Sequence, residues 1–177
     1  MGMTYSTEAP ATTSTEAKRG PPEDGPKRVV VSGYFDPFHV GHLEYLEKAK
    51  AVGGEDAILV VIVNNDEQAT LKKGKPFMPG KERVQIVQAL KCVDEAVLAI
   101  DKDRTVCATI RSLEPVPHMF CNGGDQNNQS IPEGPVCEEL GIKLVDGLGD
   151  KIQSSSWLIK GSKNIEKVDD KVAAVAK

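Results

Sequence analysis

His39 and His42 are two of only 3 histidines in a chain of 177 residues, and Gly41 stands beside the second. Imidazoles at this spacing can hold a metal, donate hydrogen bonds to phosphate oxygens, or simply pack. The surrounding sequence favours phosphate. An apolar, β-branched run, RVVVSG from Arg28 to Gly33, precedes the pair, and the helix-like stretch HVGHLEYLEKAKAVG carries it. The histidines therefore fall where a strand hands over to a helix, and backbone N–H groups and the helix dipole attract anions there. A helix starting near His39 puts both rings on one side of its first turn. Gly33 permits close backbone approach, Pro37 stiffens the turn, and Gly41 leaves the space beside the rings clear. A metal site would need a third ligand and softer donors, and this stretch offers neither.

Three other clusters have residue types suited to phosphates or nucleosides. Lys72, Lys73 and Lys75 surround Gly74 in a polar loop, and Arg83 follows one turn into the next predicted helix. Such cations can neutralise a triphosphate and a departing pyrophosphate, although lysines also simply solvate loops. In FCNGGDQNN, Gly123 and Gly124 would let a ligand approach the backbone, and Asp125 could accept from ribose hydroxyls; a plain Gly-Gly-Asp turn reads the same way. Ser154, Ser155 and Ser156 precede an apolar helical run, which makes them good N-cap residues and places their hydroxyls at an anion-attracting helix start. His118 and Trp157 are expected to be structural, the tryptophan in the core.

The elements that must position these groups alternate. DAILVVIVNND reads as a second buried strand, GKERVQIVQALK as a helix, DEAVLAID as a strand and RTVCATIRSLE as a helix. PHMFCNGGD, PVCEELG and IKLVDG then supply a strand, a helix and a strand. This pattern predicts an α/β fold: a Rossmann-like, doubly wound, mainly parallel five-stranded sheet with helices on both faces. Ligands bind outside the carboxyl ends of such strands, and the unusual residues fall in the loops there. Residues 1–27, rich in Thr, Glu and Pro, are expected to be a disordered tail. Residues 28–160 would form the domain, and 161–177 a helical tail with Ile165, Val168, Val172 and Val175 near helical spacing.

Composition narrows the function classes. A net charge of −4, from 22 Lys+Arg against 26 Asp+Glu, argues against a nucleic-acid or anionic-membrane binder. Cys92, Cys107, Cys121 and Cys137 form no C-x-x-C pair, which fits reduced, packed thiols. No apolar run spans a bilayer and no secretory signal stands out, so a soluble cytoplasmic protein is expected.

His39-Val40-Gly41-His42 after a strand resembles the H-x-G-H signature of the nucleotidyltransferase superfamily. The frame GYFDPFHVGHLEYLEKAKAVG is most similar to the glycerol-, choline- and ethanolamine-phosphate cytidylyltransferases and to the adenylyltransferase domain of ADP-heptose synthase. The resemblance implies catalytic roles for His39, His42, Lys73 and Arg83. It implies nucleotide contacts from Gly33, Tyr34, Phe35, Asp36, Gly41, Gly123, Gly124, Asp125, Ser154, Ser155 and Ser156. The expected reaction moves a nucleotidyl group from an NTP to a phosphorylated alcohol or sugar and releases pyrophosphate. Mg²⁺ would arrive with the NTP, no protein metal site is expected, and the family implies a homodimer.

The short interval between Lys73 and Arg83 resembles that of the choline- and ethanolamine-phosphate enzymes more than that of ADP-heptose synthase, and this resemblance implies CTP. The Arg and Gly that cytidylyltransferases carry before the serines are replaced here by Gly149 and Ile152, which leaves room for ATP with a sugar phosphate or FMN. A nucleotide-binding module without turnover, and a metal-dependent hydrolase built on the histidines, are the readings from other classes.

Overall fold

The computed structural model describes residues 19–123, 131–148 and 153–161. Two β-branched runs form its centre, β1 (Arg28–Gly33) and β2 (Ile58–Val63). Val29 to Val31 and Leu59 to Val63 are wholly buried, as strands covered on both faces must be. They pair in parallel with Val30 opposite Val60. β3 (Glu95–Leu98) lies outside β2, whereas β4 (Met119–Cys121) and then β5 (Lys143–Val145) extend the sheet beyond β1. The order is β3-β2-β1-β4-β5, and every pairing is parallel. This is the expected Rossmann-like fold.

Alternation along the strands sends side chains into two cores. Val30, Val60 and Ile62 pack with Ile110 of α4 (Cys107–Ser112) and Val136 of α5 (Gly134–Leu140). Val29, Val31, Leu59 and Val61 pack on the other face with Leu46 and Ala49 of α1 (Val40–Val52) and Val87 of α3 (Gly80–Gln88). Successive strands grow outward from β1 to β3, and the chain then crosses to β4 on the far side of β1. The crevice between β1 and β4 is therefore the switch point where such sheets take ligands.

One helix was not anticipated. The stretch expected to be a lysine-bearing polar loop begins as α2 (Asp66–Lys73), and Lys72 and Lys73 occupy its last turn. Asn65 and Gln68 cap its start reciprocally: Asn65 Oδ1 accepts from the Gln68 N–H at 2.9 Å, and Gln68 Oε1 from the Asn65 N–H at 3.0 Å. Gly74, at φ 90°, ends the helix in a conformation that favours glycine.

Residues 19–27, expected to be disordered, lie fastened to the domain. The Arg19 guanidinium donates to the carbonyls of Arg111 and Leu113 at the end of α4. His118 has a structural place: its Nδ1 accepts from the Arg28 N–H at 2.9 Å, and its Nε2 is bonded to the Pro22 carbonyl at 2.9 Å. Residues 1–18 of the expected tail, and residues 162–177 of the expected C-terminal helix, lie outside the described residues. All four cysteines are free; burial pushes Cys121 up to about 11 and Cys137 to about 12, so these two thiols are unreactive packing groups. Among the described residues no helix is long and apolar enough to cross a membrane.

Candidate active site

A cavity of about 900 Å³ opens at the carboxyl ends of the strands, and both signature histidines line it. His39 is the N-cap of α1 and His42 lies in its first turn, so the helix puts their rings side by side. The rings stack with centroids 3.7 Å apart and planes 15° from parallel. His42 also meets Phe35 edge-on at 5.0 Å and Phe38 at 5.5 Å. The Nδ1 atoms of both histidines are buried without a hydrogen-bond partner. Ring packing therefore holds the pair. Phe35 achieves its contact with φ at +49°, a left-handed conformation rare for a buried aromatic residue and characteristic of sites where position matters more than strain. A Cβ at Gly33 would come within 2.7 Å of that ring, which is why glycine ends β1.

Lys73 is fixed above the same loop. Its Nζ donates to the Asp36 carbonyl at 2.6 Å and lies 3.9 Å from the Asp36 carboxylate. That carboxylate is wholly buried and accepts from the backbone N–H groups of Phe77 and Met78, both at 2.8 Å. Asp36 thus ties the segment after α2 to the histidine loop and does not itself line the cavity. Lys72 reaches over the Tyr34 ring, its Nζ 4.1 Å from the centroid. Arg83 was expected among the catalytic residues, but it lies beneath the site, fully buried and away from the lining. Its guanidinium donates to the carbonyls of Met78, Tyr34 and Asn64 and to Asp66 Oδ1, at 2.7–2.9 Å. The four bonds commit it to fastening three loops together.

On the β4 side, Gly123 allows Tyr45 to pass beneath the chain; a Cβ there would sit 2.5 Å from the ring. The Tyr45 hydroxyl donates to the Cys121 carbonyl at 2.6 Å. Gly124 and Asp125 lie outside the described residues. Ser154, Ser155 and Ser156 line the cavity where the helical residues 155–161 begin. Ser155 donates to the Pro37 carbonyl at 2.9 Å, which brings this helix start against the histidine loop. Ser154 Oγ accepts from the Trp157 N–H at 3.3 Å. Trp157, expected in the core, is 56% exposed and lines the cavity, because these helical residues sit at the mouth of the site and not beneath the sheet. Arg104, which the sequence reading passed over, lines it too.

Charge is concentrated among neutral imidazoles. Burial, followed by the neighbouring His39, Lys73 and Lys72, pushes His42 down to about 3. Burial and Lys73 also lower His39, and burial lowers Lys73 against the opposing pull of Asp36. The pocket thus favours anionic ligands, beside which the cationic forms are restored. The same shift makes acid destabilising. In the unfolded chain His42 takes up a proton near its ordinary value of 6.5, while the folded protein resists it down to about 3. The associated stability is complete above pH 6.5 and lost as pH falls through that window. We expect the unliganded protein to lose about 1 kcal/mol per pH unit from this group between about pH 6 and 4. Urea unfolding at stepped pH measures it, and His42→Gln should flatten the slope by that amount; an unchanged slope would contradict the assignment.

Imidazoles, lysines and serine hydroxyls converge on a cavity at the switch point of a parallel sheet, in the arrangement of a nucleotidyltransferase. The chain belongs to the cytidylyltransferase-like family, whose model matches residues 30–170. The FAD synthase of Methanobrevibacter ruminantium is 43% identical over 116 residues, covering 66% of this chain and 75% of that protein. The bifunctional protein HldE of Pelobacter propionicus is 34% identical over 136 residues, covering 76% of this chain and 25% of that protein. The chain spans 58% of the length of another FAD synthase it matches, from Methanopyrus kandleri. Among solved structures, a lipopolysaccharide core biosynthesis protein from Thermoplasma volcanium superposes with a TM-score of 0.57 at 28% identity, over 69% of this chain and 96% of that one.

Proposed function

We propose that the protein transfers the adenylyl group of ATP to FMN, forming FAD and pyrophosphate. The observation that carries this reading is the stacked His39–His42 pair, bordered by Lys72 and Lys73, in a protein whose relatives include FAD synthases. An oxygen of the FMN phosphate forms the new bond to the α-phosphorus of ATP, and the bond from that phosphorus to the α–β bridging oxygen breaks. The attacking phosphate is already ionised at neutral pH, so no general base is needed and no proton has to move. Rate then comes from position and charge.

His39 and His42 donate to the α-phosphate oxygens as charge gathers on them, and Lys73 balances the pyrophosphate that leaves. The hydroxyls of Ser154 and Ser156 and the helix start beside them hold the β- and γ-phosphates. Among the described residues no group of three or more His, Cys, Asp or Glu could hold a metal ion. Mg²⁺ would arrive as part of the ATP complex, as the family resemblance implies. The spacing of the lysine segment favoured CTP; the choice of ATP rests on the FAD synthase relatives. Homodimerisation, implied by the family resemblance, is part of the proposal, and sedimentation of the purified protein checks it.

The test is pyrophosphate release with each of the four NTPs against FMN, glycerol 3-phosphate, choline phosphate and a sugar 1-phosphate. ATP with FMN is expected to be the fastest pair. Preference for CTP with a phosphorylated alcohol would overturn the choice of substrates while keeping the chemistry, and inactivity of every pair would favour a binding module.

A further inference from the structure

We propose that Arg104 grips the phosphate of the acceptor substrate, and so sets the requirement for a phosphorylated acceptor. This deepens the adenylyl-transfer reading and rests on it.

The residue stands out for how its loop is built. It lies between β3 and α4, and it is exposed where that loop lines the cavity. Both carbonyls that flank it in sequence are held by one buried side chain: Gln68 Nε2 donates to the Asp103 carbonyl at 2.7 Å and to the Thr105 carbonyl at 2.6 Å. Asp103 Oδ1 accepts from the Thr105 N–H at 2.8 Å and from its hydroxyl at 2.7 Å, which closes the turn around Arg104. Buried Asp101 receives the N–H groups of Ala108 and Thr109 at the start of α4, and Asn65 Nδ2 donates to the Asp101 carbonyl at 2.7 Å. An exposed arginine on a loop braced this heavily is preorganised, so little entropy is lost when it meets a ligand.

Its position also separates it from the nucleotide groups. The serines and Gly123 come from the β4 side of the switch point and the helical residues 155–161. Arg104 comes from the edge strand on the opposite half of the sheet, together with α2, which contributes both Gln68 and Lys72. The Arg104 guanidinium lies near enough to the Tyr34 hydroxyl to oppose the rise that burial gives its pKa, while the Lys72 ammonium lies over the Tyr34 ring. Two cations therefore border one aromatic ring next to the histidine loop. A planar guanidinium matches a phosphate monoester by two parallel N–H···O bonds, a geometry that lysine lacks.

The test compares FMN with riboflavin, which differs by the phosphate alone. Binding is followed by flavin fluorescence in the wild type, Arg104→Gln and Arg104→Lys, alongside KM for FMN and for ATP. Arg104→Gln should weaken FMN binding about 10-fold and leave riboflavin unchanged, the size expected for a charged hydrogen-bonding pair. KM for FMN should rise similarly with KM for ATP within about twofold, and Arg104→Lys should fall between. An equal loss for FMN and riboflavin, a rise in KM for ATP alone, or no change would each overturn the role of Arg104 while wild-type turnover leaves adenylyl transfer standing. Should the wild type use a different phosphorylated acceptor, the same comparison runs with that compound and its dephosphorylated form. Failure of the wild type with every acceptor would overturn both.

Discussion

His42→Ala is expected to lower kcat by about 10²–10³-fold, the cost of removing one preorganised donor to a developing oxyanion. The ring is the inner member of the stacked pair, caught between His39, the edge-on Phe35 ring and the tilted ring of Phe38. It has little else to do: its Nδ1 has no hydrogen-bond partner, and its pKa is depressed by burial and by the cations alongside. The loss should appear in kcat and in kcat/KM alike, because the contact strengthens only as charge develops in the transition state. Thermal melting of the variant separates chemistry from folding. A folded variant with near-normal turnover would remove the histidine pair from the reaction.

Arg83→Met should be the most destabilising of the changes considered, by about 3–5 kcal/mol, since three backbone carbonyls lose their donor at about 1–3 kcal/mol each. Methionine nearly fills the volume yet strands the carbonyls of Tyr34, Asn64 and Met78, and leaves the half-exposed Asp66 carboxylate with the Gly80 N–H but without its ion pair. At about 2–4 °C per kcal/mol for a protein of this size, Tm should fall by roughly 10 °C or more. Activity measured well below the new Tm should fall much less than in the His42 variant. An unchanged Tm with abolished turnover would return Arg83 to direct contact with substrate, the role that its sequence context suggests.

That contrast shows where sequence stops being informative. The strands were legible because a buried parallel sheet demands continuous β-branched runs, and RVVVSG and ILVVIV have no other use. The histidine pair was legible because its spacing and its junction follow from local rules. α2 was hidden by polarity: LKKGK reads as solvated loop, although the Asn65–Gln68 capping box that starts the helix is present in the sequence. Arg83 and Arg104 look alike as letters, each one basic residue among charged neighbours. Only tertiary packing distinguishes them, burying the first under three loops and lifting the second into the cavity on carbonyls held by Gln68. Trp157 was misplaced for the same reason, since an aromatic residue in an apolar run looks like core whether or not its helix lies on the sheet.

The central claim is that the bond between the α- and β-phosphates of the nucleotide is the one that breaks. Incubating the protein with FMN and ATP labelled either at the α- or at the γ-phosphate tests this directly. The account predicts that α-label appears in the flavin product and γ-label in pyrophosphate. Gamma-label in the flavin product, or free AMP with no labelled flavin, would contradict it.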